Sequence, residues 1–428
     1  MFFERPEGGE NCVLVHMALD SEREQEDPVE FEELVRSAGL LATAFIRGSR
    51  KTPDAGHFVG KGKLEELREV IAANDASLVL FNHNLSPSQE RNLEKRLDCR
   101  VLDRTGLILE IFAQRARTYE GRLQVELAQL QHVVTRLKRG WTHLDRQKGG
   151  VNLRGAGETQ LEMDQRMIRQ RIKSINKSLE KVRSQREQGR RARRRSEKPS
   201  ISLVGYTNAG KSSLFNTLTN AGIYTADQLF ATLDSTLRRI DLPNYGEAVL
   251  ADTVGFISHL PHKLVEAFRA TLEETSQATL LLHVVDAANE QRDHYIGQVE
   301  NVLDEIGAGD VPCLQVYNKI DLMGTIEPRI ERNGQDKPAR VWVSAFTGEG
   351  IDLLLEAVTE LLGEDFVQQD LLLSPRQGKL RARLYARGAV EHEDVSDDGQ
   401  IRLAVRLPRF DFDRLMKEED GAPAIKEH

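Results

Sequence analysis

Ile201-Ser-Leu-Val204-Gly205-Tyr206-Thr207-Asn208-Ala209-Gly210-Lys211-Ser212-Ser213 reads as a buried strand that runs into GxxxxGKS and then into a helix predicted over Ser213–Thr219. Glycines let such a backbone curl around phosphate and point its N–H groups inward. The helix N-terminus behind them is already positive by its dipole. Lys211 can reach terminal phosphates, and the Ser212 hydroxyl is a candidate Mg²⁺ ligand. Gly205 to Ser213 is therefore the candidate phosphate-binding loop, with Lys211 its candidate catalytic cation.

The residues downstream extend this reading in a fixed order. Val249–Gly255 is a strand ending in Asp252-Thr253-Val254-Gly255, or DxxG. Such an Asp can hold Mg²⁺ through water. The Gly255 amide can bond a γ-phosphate and lose that bond on hydrolysis, which makes Gly255 a second catalytic candidate. Between the two motifs, Leu229-Phe230-Ala231-Thr232-Leu233-Asp234 reads as a loop whose Thr232 hydroxyl can complete the metal shell. Thr232 is thus both a metal and a catalytic candidate.

A further strand ends in Asn318-Lys319-Ile320-Asp321 and selects the base. A carboxylate accepts two hydrogen bonds, and guanine's ring N–H and amino group form the matching donor pair. Adenine lacks that pair and would leave Asp321 unmatched, which a buried site penalises. Lys319 can lay its stem along the base, and Asn318 can tie this loop to the phosphate loop. Ser344-Ala345-Phe346 ends another strand, where backbone amides can meet the guanine carbonyl oxygen. Five segments in this order predict a GTP/GDP switch domain that works with Mg²⁺.

Outward from that domain, the pattern divides the chain. Cys12–Leu19, Leu40–Ile46, Ser77–Phe81 and Cys99–Leu102 read as strands, with helices at Pro28–Ala38, Lys63–Asn74 and Ser86–Leu97 between them. Alternation of this kind implies a mostly parallel sheet. Leu123, Leu127, Leu130, Val134 and Leu137, and later Leu161, Ile168, Ile172, Ile175, Leu179 and Val182, form apolar seams of 3.5-residue period, as two zipped helices require. Glycine-rich Gly149–Glu158 makes the tip of that hairpin. If Glu158 to Arg195 were all helical, the arm would extend about 57 Å. In the tail, Lys379–Val390 and Gln400–Leu407 predict a two-stranded hairpin after an opening loop.

The expected fold is α/β: a P-loop GTPase domain (199–363) preceded by a smaller parallel α/β domain (1–104) and a long antiparallel helical hairpin (105–198), and followed by a small α+β tail domain (364–428).

The net charge of −8 conceals an asymmetry, because Arg166–Lys198 carries fourteen Lys/Arg against three Glu. An acidic chain with one basic arm concentrates its attraction for phosphate in one place; the plainer reading is a solvated linker. No apolar run approaches the ~18 residues of a membrane span. The three cysteines, Cys12, Cys99 and Cys313, have no metal-ligand spacing. A cytoplasmic monomer without disulfides is expected.

The five-motif series resembles the translation-factor-related P-loop GTPases. Three stretches resemble the HflX family within that class: Gly149–Glu162 with its Arg154-Gly-Ala-Gly-Glu-Thr-Gln-Leu-Glu162 ending, Asp227–Asp234, and Thr105–Arg117. The resemblance implies a cytoplasmic GTPase that binds the large ribosomal subunit and its RNA. It also implies a role in splitting or rescuing stalled ribosomes, notably after heat stress, or in ribosome biogenesis. Two residues depart from expectation. Phe256 follows Gly255 where Ras-like enzymes carry a water-orienting Gln, a trait this family shares. Ser235 follows Asp234 where the family would have proline. Two rival readings remain from the residues. One is a signalling GTPase with a protein effector. The other is an ATP-dependent RNA remodeller acting through the N-terminal domain, where Val59-Gly60-Lys61-Gly62-Lys63 runs into a helix that can hold phosphate on its free amides.

Overall fold

The computed structural model describes residues 9–20, 27–137, 160–195, 198–219, 229–230, 236–243, 245–257, 274–324, 326–363, 366–374, 377–386, 388–395, 400–408, 412, 415–416 and 424–426. Strands β1 (Asn11–Leu19), β2 (Leu41–Arg50), β3 (Leu78–Phe81) and β4 (Arg100–Asp103) form an all-parallel sheet in the order β2-β1-β3-β4. Its crossovers are α1 (Pro28–Ser37), α2 (Lys61–Asn74) and α3 (Pro87–Leu97). Local chemistry sets their starts. The Asp27 carboxylate accepts from the Val29 amide ahead of α1, and Ser86 and Gln89 form a reciprocal capping box at α3. Side chains alternate along β1, so that Cys12 and Leu14 face one layer while Val13, Val15 and Met17 face the other.

Helix α4 (Arg104–Arg115) starts at the expected 104/105 division but packs on the N-terminal sheet. Its Leu107, Ile108, Ile111 and Phe112 share one core with Cys12, Leu14 and Leu80. The N-terminal layer therefore runs on through Arg115. Helices α5 (Tyr119–Leu137) and α6 (Gln160–Arg195) then zip through Leu123, Leu127 and Leu130 against Ile168 and Ile175. Two Arg171–Glu126 hydrogen bonds of 2.6 and 2.7 Å cross the seam. The glycine-rich tip lies outside the described residues.

The third unit has a seven-stranded sheet built from β5 (Ser200–Val204), β6 (Thr236–Leu242), β7 (Gly246–Asp252), β8 (Leu280–Asp286), β9 (Cys313–Asn318), β10 (Arg329–Arg332) and β11 (Pro338–Trp342). Their order is β10-β11-β9-β8-β5-β7-β6, antiparallel only at the two edge pairs. Helices α7 (Lys211–Thr219), α8 (Arg292–Glu305) and α9 (Ile351–Gly363) accompany it. Parallel strands present their carboxyl ends on one side, so the motifs after β5, β7, β9 and β11 converge there.

The tail departs from expectation twice. Its opening is strand β12 (Phe366–Leu373), and Gly378–Ala386 is helix α10 rather than a strand. Leu380 and Leu384, four apart and fully buried, give α10 one apolar face. The first arm of the hairpin therefore lies after the expected Lys379–Val390: β13 (Val390–Val395) pairs with β14 (Ile401–Pro408), and β15 (Ala424–Lys426) completes the sheet β13-β14-β12-β15. Among the described residues, no helix is long and apolar enough to cross a membrane, and Cys12, Cys99 and Cys313 are free thiols.

Candidate nucleotide site

Strand β5 is buried through Ile201, Leu203 and Val204 and aims the Gly205–Ser212 loop into the N-terminus of α7. Gly210 is in the left-handed region at φ 91°, and a Cβ there would stand 2.2 Å from Asn318 Nδ2. No larger residue fits without displacing the base-side loop. Lys211 is buried, and its Nζ donates to the carbonyl oxygens of Tyr206 at 2.7 Å and Gly205 at 3.0 Å. Burial lowers its pKa to about 8, against the opposing pull of Asp252. Burial, with Lys211 adding to it, lowers the His283 pKa to about 4, so this imidazole is neutral at pH 7.

The Ser212 hydroxyl donates to Asp252 Oδ2 at 2.9 Å, and Asp252 is fully buried. A hydroxyl and a carboxylate so placed are two hard oxygens at the mouth of a phosphate loop, which suits Mg²⁺. Thr253 anchors the DxxG turn by donating from Oγ1 to Leu203 O at 2.5 Å. Phe256 then pairs with the phosphate loop. Thr207 N donates to Phe256 O at 2.7 Å, and Phe256 N donates to Gly205 O at 3.1 Å. Gly255 is pressed against that loop, since a Cβ on it would lie 3.0 Å from Lys211 Nζ and 2.8 Å from Thr207 Cγ2.

On the base side, Asn318 Nδ2 donates to Ala209 O at 3.0 Å, and its Oδ1 accepts from Ala345 N at 2.9 Å. Ser344 donates from Oγ to Asp321 Oδ1 at 2.6 Å. Lys319, at φ 68°, places Nζ 2.8 Å from Asp286 Oδ2. Ile320 is buried beneath the turn, whereas Phe346 is 89 % exposed.

Gly205–Ser213, Asp252–Gly255, Asn318–Asp321 and Ser344–Phe346 thus gather at one end of the sheet. Ala231, Thr232, Leu233 and Asp234 lie outside the described residues. Phe230 is described and points elsewhere. It meets Phe112 edge-on at 4.6 Å, and it lies with Leu229, Val254 and Ile257 in the same core as α1 and α4. In the N-terminal unit, Gly60 caps α2 and Lys63 pairs with Glu66 at 2.8 Å.

Two residues that sequence reasoning missed, Glu30 and Tyr295, touch the phosphate loop, and a third, Arg104, holds Glu30. Tyr206 donates its hydroxyl to Glu30 Oε1, and Glu30 Oε2 takes Arg104 Nη2 at 2.7 Å. The Tyr206 ring stacks on Tyr295 at 4.1 Å. Glu30 and Tyr206 are 176 positions apart, and no local signal links them.

Family models match along the chain. Residues 25–113 match a GTP-binding GTPase N-terminal model, 115–193 a GTP-binding GTPase middle region, 200–319 a 50S ribosome-binding GTPase and 329–422 an HflX C-terminal domain. The chain is 58 % identical over 417 residues to the GTPase HflX of Escherichia coli K12, covering 97 % of this chain and 98 % of that one. It is 46 % identical to the GTPase HflX of Magnetococcus marinus, over 91 % of this chain and 90 % of that one. A solved complex of SsGBP with GDP aligns over 82 % of this chain and 98 % of that chain, at 26 % identity and a TM-score of 0.48.

Proposed function

Because the chain belongs to the HflX family of GTPases, we propose that it is a nucleotide-gated factor that binds the large ribosomal subunit and acts in splitting or rescuing stalled ribosomes. The enzyme is a P-loop GTPase, releasing GDP and phosphate. In this reading Lys211 and the amides of Gly205–Ser213 hold the phosphates. Ser212 and Thr232 ligate Mg²⁺, with Asp252 acting through water. Mg²⁺ would neutralise phosphate charge there. Asp321 pairs with guanine, Ser344–Phe346 close over its carbonyl, and Asn318 locks the two loops together. Phe256 has no polar side-chain group, so the attacking water is oriented by other groups.

The observation that carries ribosome binding is the arm. The α5–α6 seam is apolar through Leu179, while α6 continues as helix to Arg195 through Arg190, Arg191, Arg193, Arg194 and Arg195. A helix of 36 residues spans about 54 Å, and its basic end has no apolar seam of its own. Such a rod suits phosphate-rich RNA. The family model described as a 50S ribosome-binding GTPase supports the same partner.

Gating is supported by Leu229, Phe230, Val254 and Ile257, which lie in or beside the two candidate switch loops and are buried in the N-terminal core. Loops that turn toward γ-phosphate must change these contacts.

The test replaces the five arginines with Gln and measures affinity for large subunits across a salt series. If about four of them meet phosphate, the slope of log affinity against log salt flattens by ~3–4, with GTP affinity unchanged. An unchanged slope makes the arm a plain linker.

A further inference from the structure

The phosphate loop is gripped from outside its own domain. Tyr206 lies between the two loop glycines, and its carbonyl oxygen is the shorter of the two contacts of Lys211 Nζ, at 2.7 Å. Two contacts of its side chain reach other elements. The ring stacks on Tyr295 of α8, and the hydroxyl donates to Glu30 on α1 of the N-terminal unit. Glu30 is itself fixed. Its other oxygen takes Arg104, the two being 5 % and 1 % exposed. Arg104 Nη1 donates to Asn82 Oδ1 at 2.8 Å, and Asn82 Nδ2 meets His16 Nδ1 at 3.1 Å. A continuous polar chain therefore runs from the C-terminal half of β1 to the backbone that holds Lys211.

The tyrosine ring packs against the N-terminal core and the core under α8, and one side of it faces open space. Glu30, Tyr206 and Tyr295 line a cavity of about 390 Å³ between α1, the phosphate loop and α8. Without its hydroxyl contact the ring can turn toward that cavity, which strains the Tyr206 carbonyl that Lys211 holds. The carboxylate, by contrast, cannot move without taking a charged partner away from the buried Arg104 guanidinium, a costly change.

We propose that Glu30 is a positioning residue for the GTPase reaction. Held by Arg104, it sets the pose of Tyr206 and through it the direction of the Lys211 ammonium toward phosphate. The inference deepens the phosphate-loop assignment and rests on Lys211 being the phosphate-binding cation. The two are separable, because loss of Lys211 abolishes hydrolysis outright whereas loss of the tyrosine contact weakens it.

Tyr206→Phe removes the hydroxyl and keeps the stack. Glu30→Asp keeps the charge on Arg104 but is one methylene too short to span both partners. Each variant, purified full-length, is titrated with fluorescent GDP and a non-hydrolysable GTP analogue, and its single-turnover hydrolysis is measured. Each weakens affinity for both nucleotides about threefold to tenfold, the range of one lost hydrogen bond, and slows hydrolysis. The double variant is no worse than the poorer single one, because both break the same link. Wild-type affinity and hydrolysis in Tyr206→Phe, with only a lower melting temperature, reduce the contact to packing. Additive losses in the double variant also overturn the relay. If Glu30→Asp fails to fold, Tyr206→Phe decides alone.

Discussion

Asn318 and Ala209 join the base-reading loop to the phosphate loop through one amide-to-carbonyl hydrogen bond of 3.0 Å, buried in the floor of the site. The same amide group accepts from Ala345, so one side chain registers three of the five motif segments. Asn318→Ala leaves a buried carbonyl and a buried N–H unmatched, at about 1–3 kcal/mol each. It therefore lowers affinity for GDP and GTP by similar factors without changing base preference, which equilibrium titration reads directly.

Asp321→Asn acts on base choice. The Ser344 hydroxyl can still donate to the Asn carbonyl oxygen, so the loop stays in place. Guanine loses a bidentate, partly charged contact worth about 2–4 kcal/mol. Xanthine presents a carbonyl where guanine has its amino group, and gains a donor from the Asn amide. Competition between GTP and xanthosine triphosphate checks the exchange. Unchanged GTP affinity removes Asp321 from the base pocket.

Lys211 gives a pH signature. In the free protein burial holds its pKa near 8, and bound phosphate requires the charged form. As pH rises through 8 the free enzyme loses the proton that binding must restore. Log affinity for GDP then falls with a slope approaching −1 per pH unit above that point, and binding takes up a proton. Titrations between pH 7.5 and 9.5, with calorimetry in two buffers, test the sign. A flat profile contradicts the burial of an ammonium at this position. Lys211→Ala abolishes hydrolysis and leaves the N-terminal sheet folded.

The nucleotide motifs were legible because each is contiguous and sits at a strand end, where chain order and spatial order coincide. Asn318 and Ala209 lie far apart in sequence, yet their contact follows from motif order alone. Glu30 and Tyr206 offer no such guide, since their meeting depends on how two separate sheets dock. The tail misled for another reason. Gly378–Ala386 alternates Leu, Arg and Ala closely enough to suggest a strand, whereas the i,i+4 pair Leu380 and Leu384 settles it as a helix packed on β12 and β14. The arm's seam was readable, but the assignment of α4 was not. Its residues are apolar over more than one face, so only packing could give it to the N-terminal core.

Arg136, near the C-terminal end of α5, ties that helix to the N-terminal unit. It is 5 % exposed and pairs with Glu90 at 2.5 Å and Asp103 at 2.7 Å, both also buried. Arg136→Ala takes the cation from two buried carboxyl groups, of which Asp103 keeps the Gly106 amide, and costs about 3 kcal/mol. Thermal unfolding shows the loss, while GDP affinity stays at the wild-type value because, among the described residues, Arg136, Glu90 and Asp103 share no hydrogen bond or ion pair with a nucleotide-site residue.

The most direct measurement is co-sedimentation of the full-length protein with separated ribosomal subunits, in GDP and in a non-hydrolysable GTP analogue at one fixed salt concentration. A nucleotide-gated large-subunit factor pellets with large subunits in the GTP analogue, is released in GDP, and stays off small subunits. Equal pelleting in both nucleotides, or none with large subunits in either, contradicts the account.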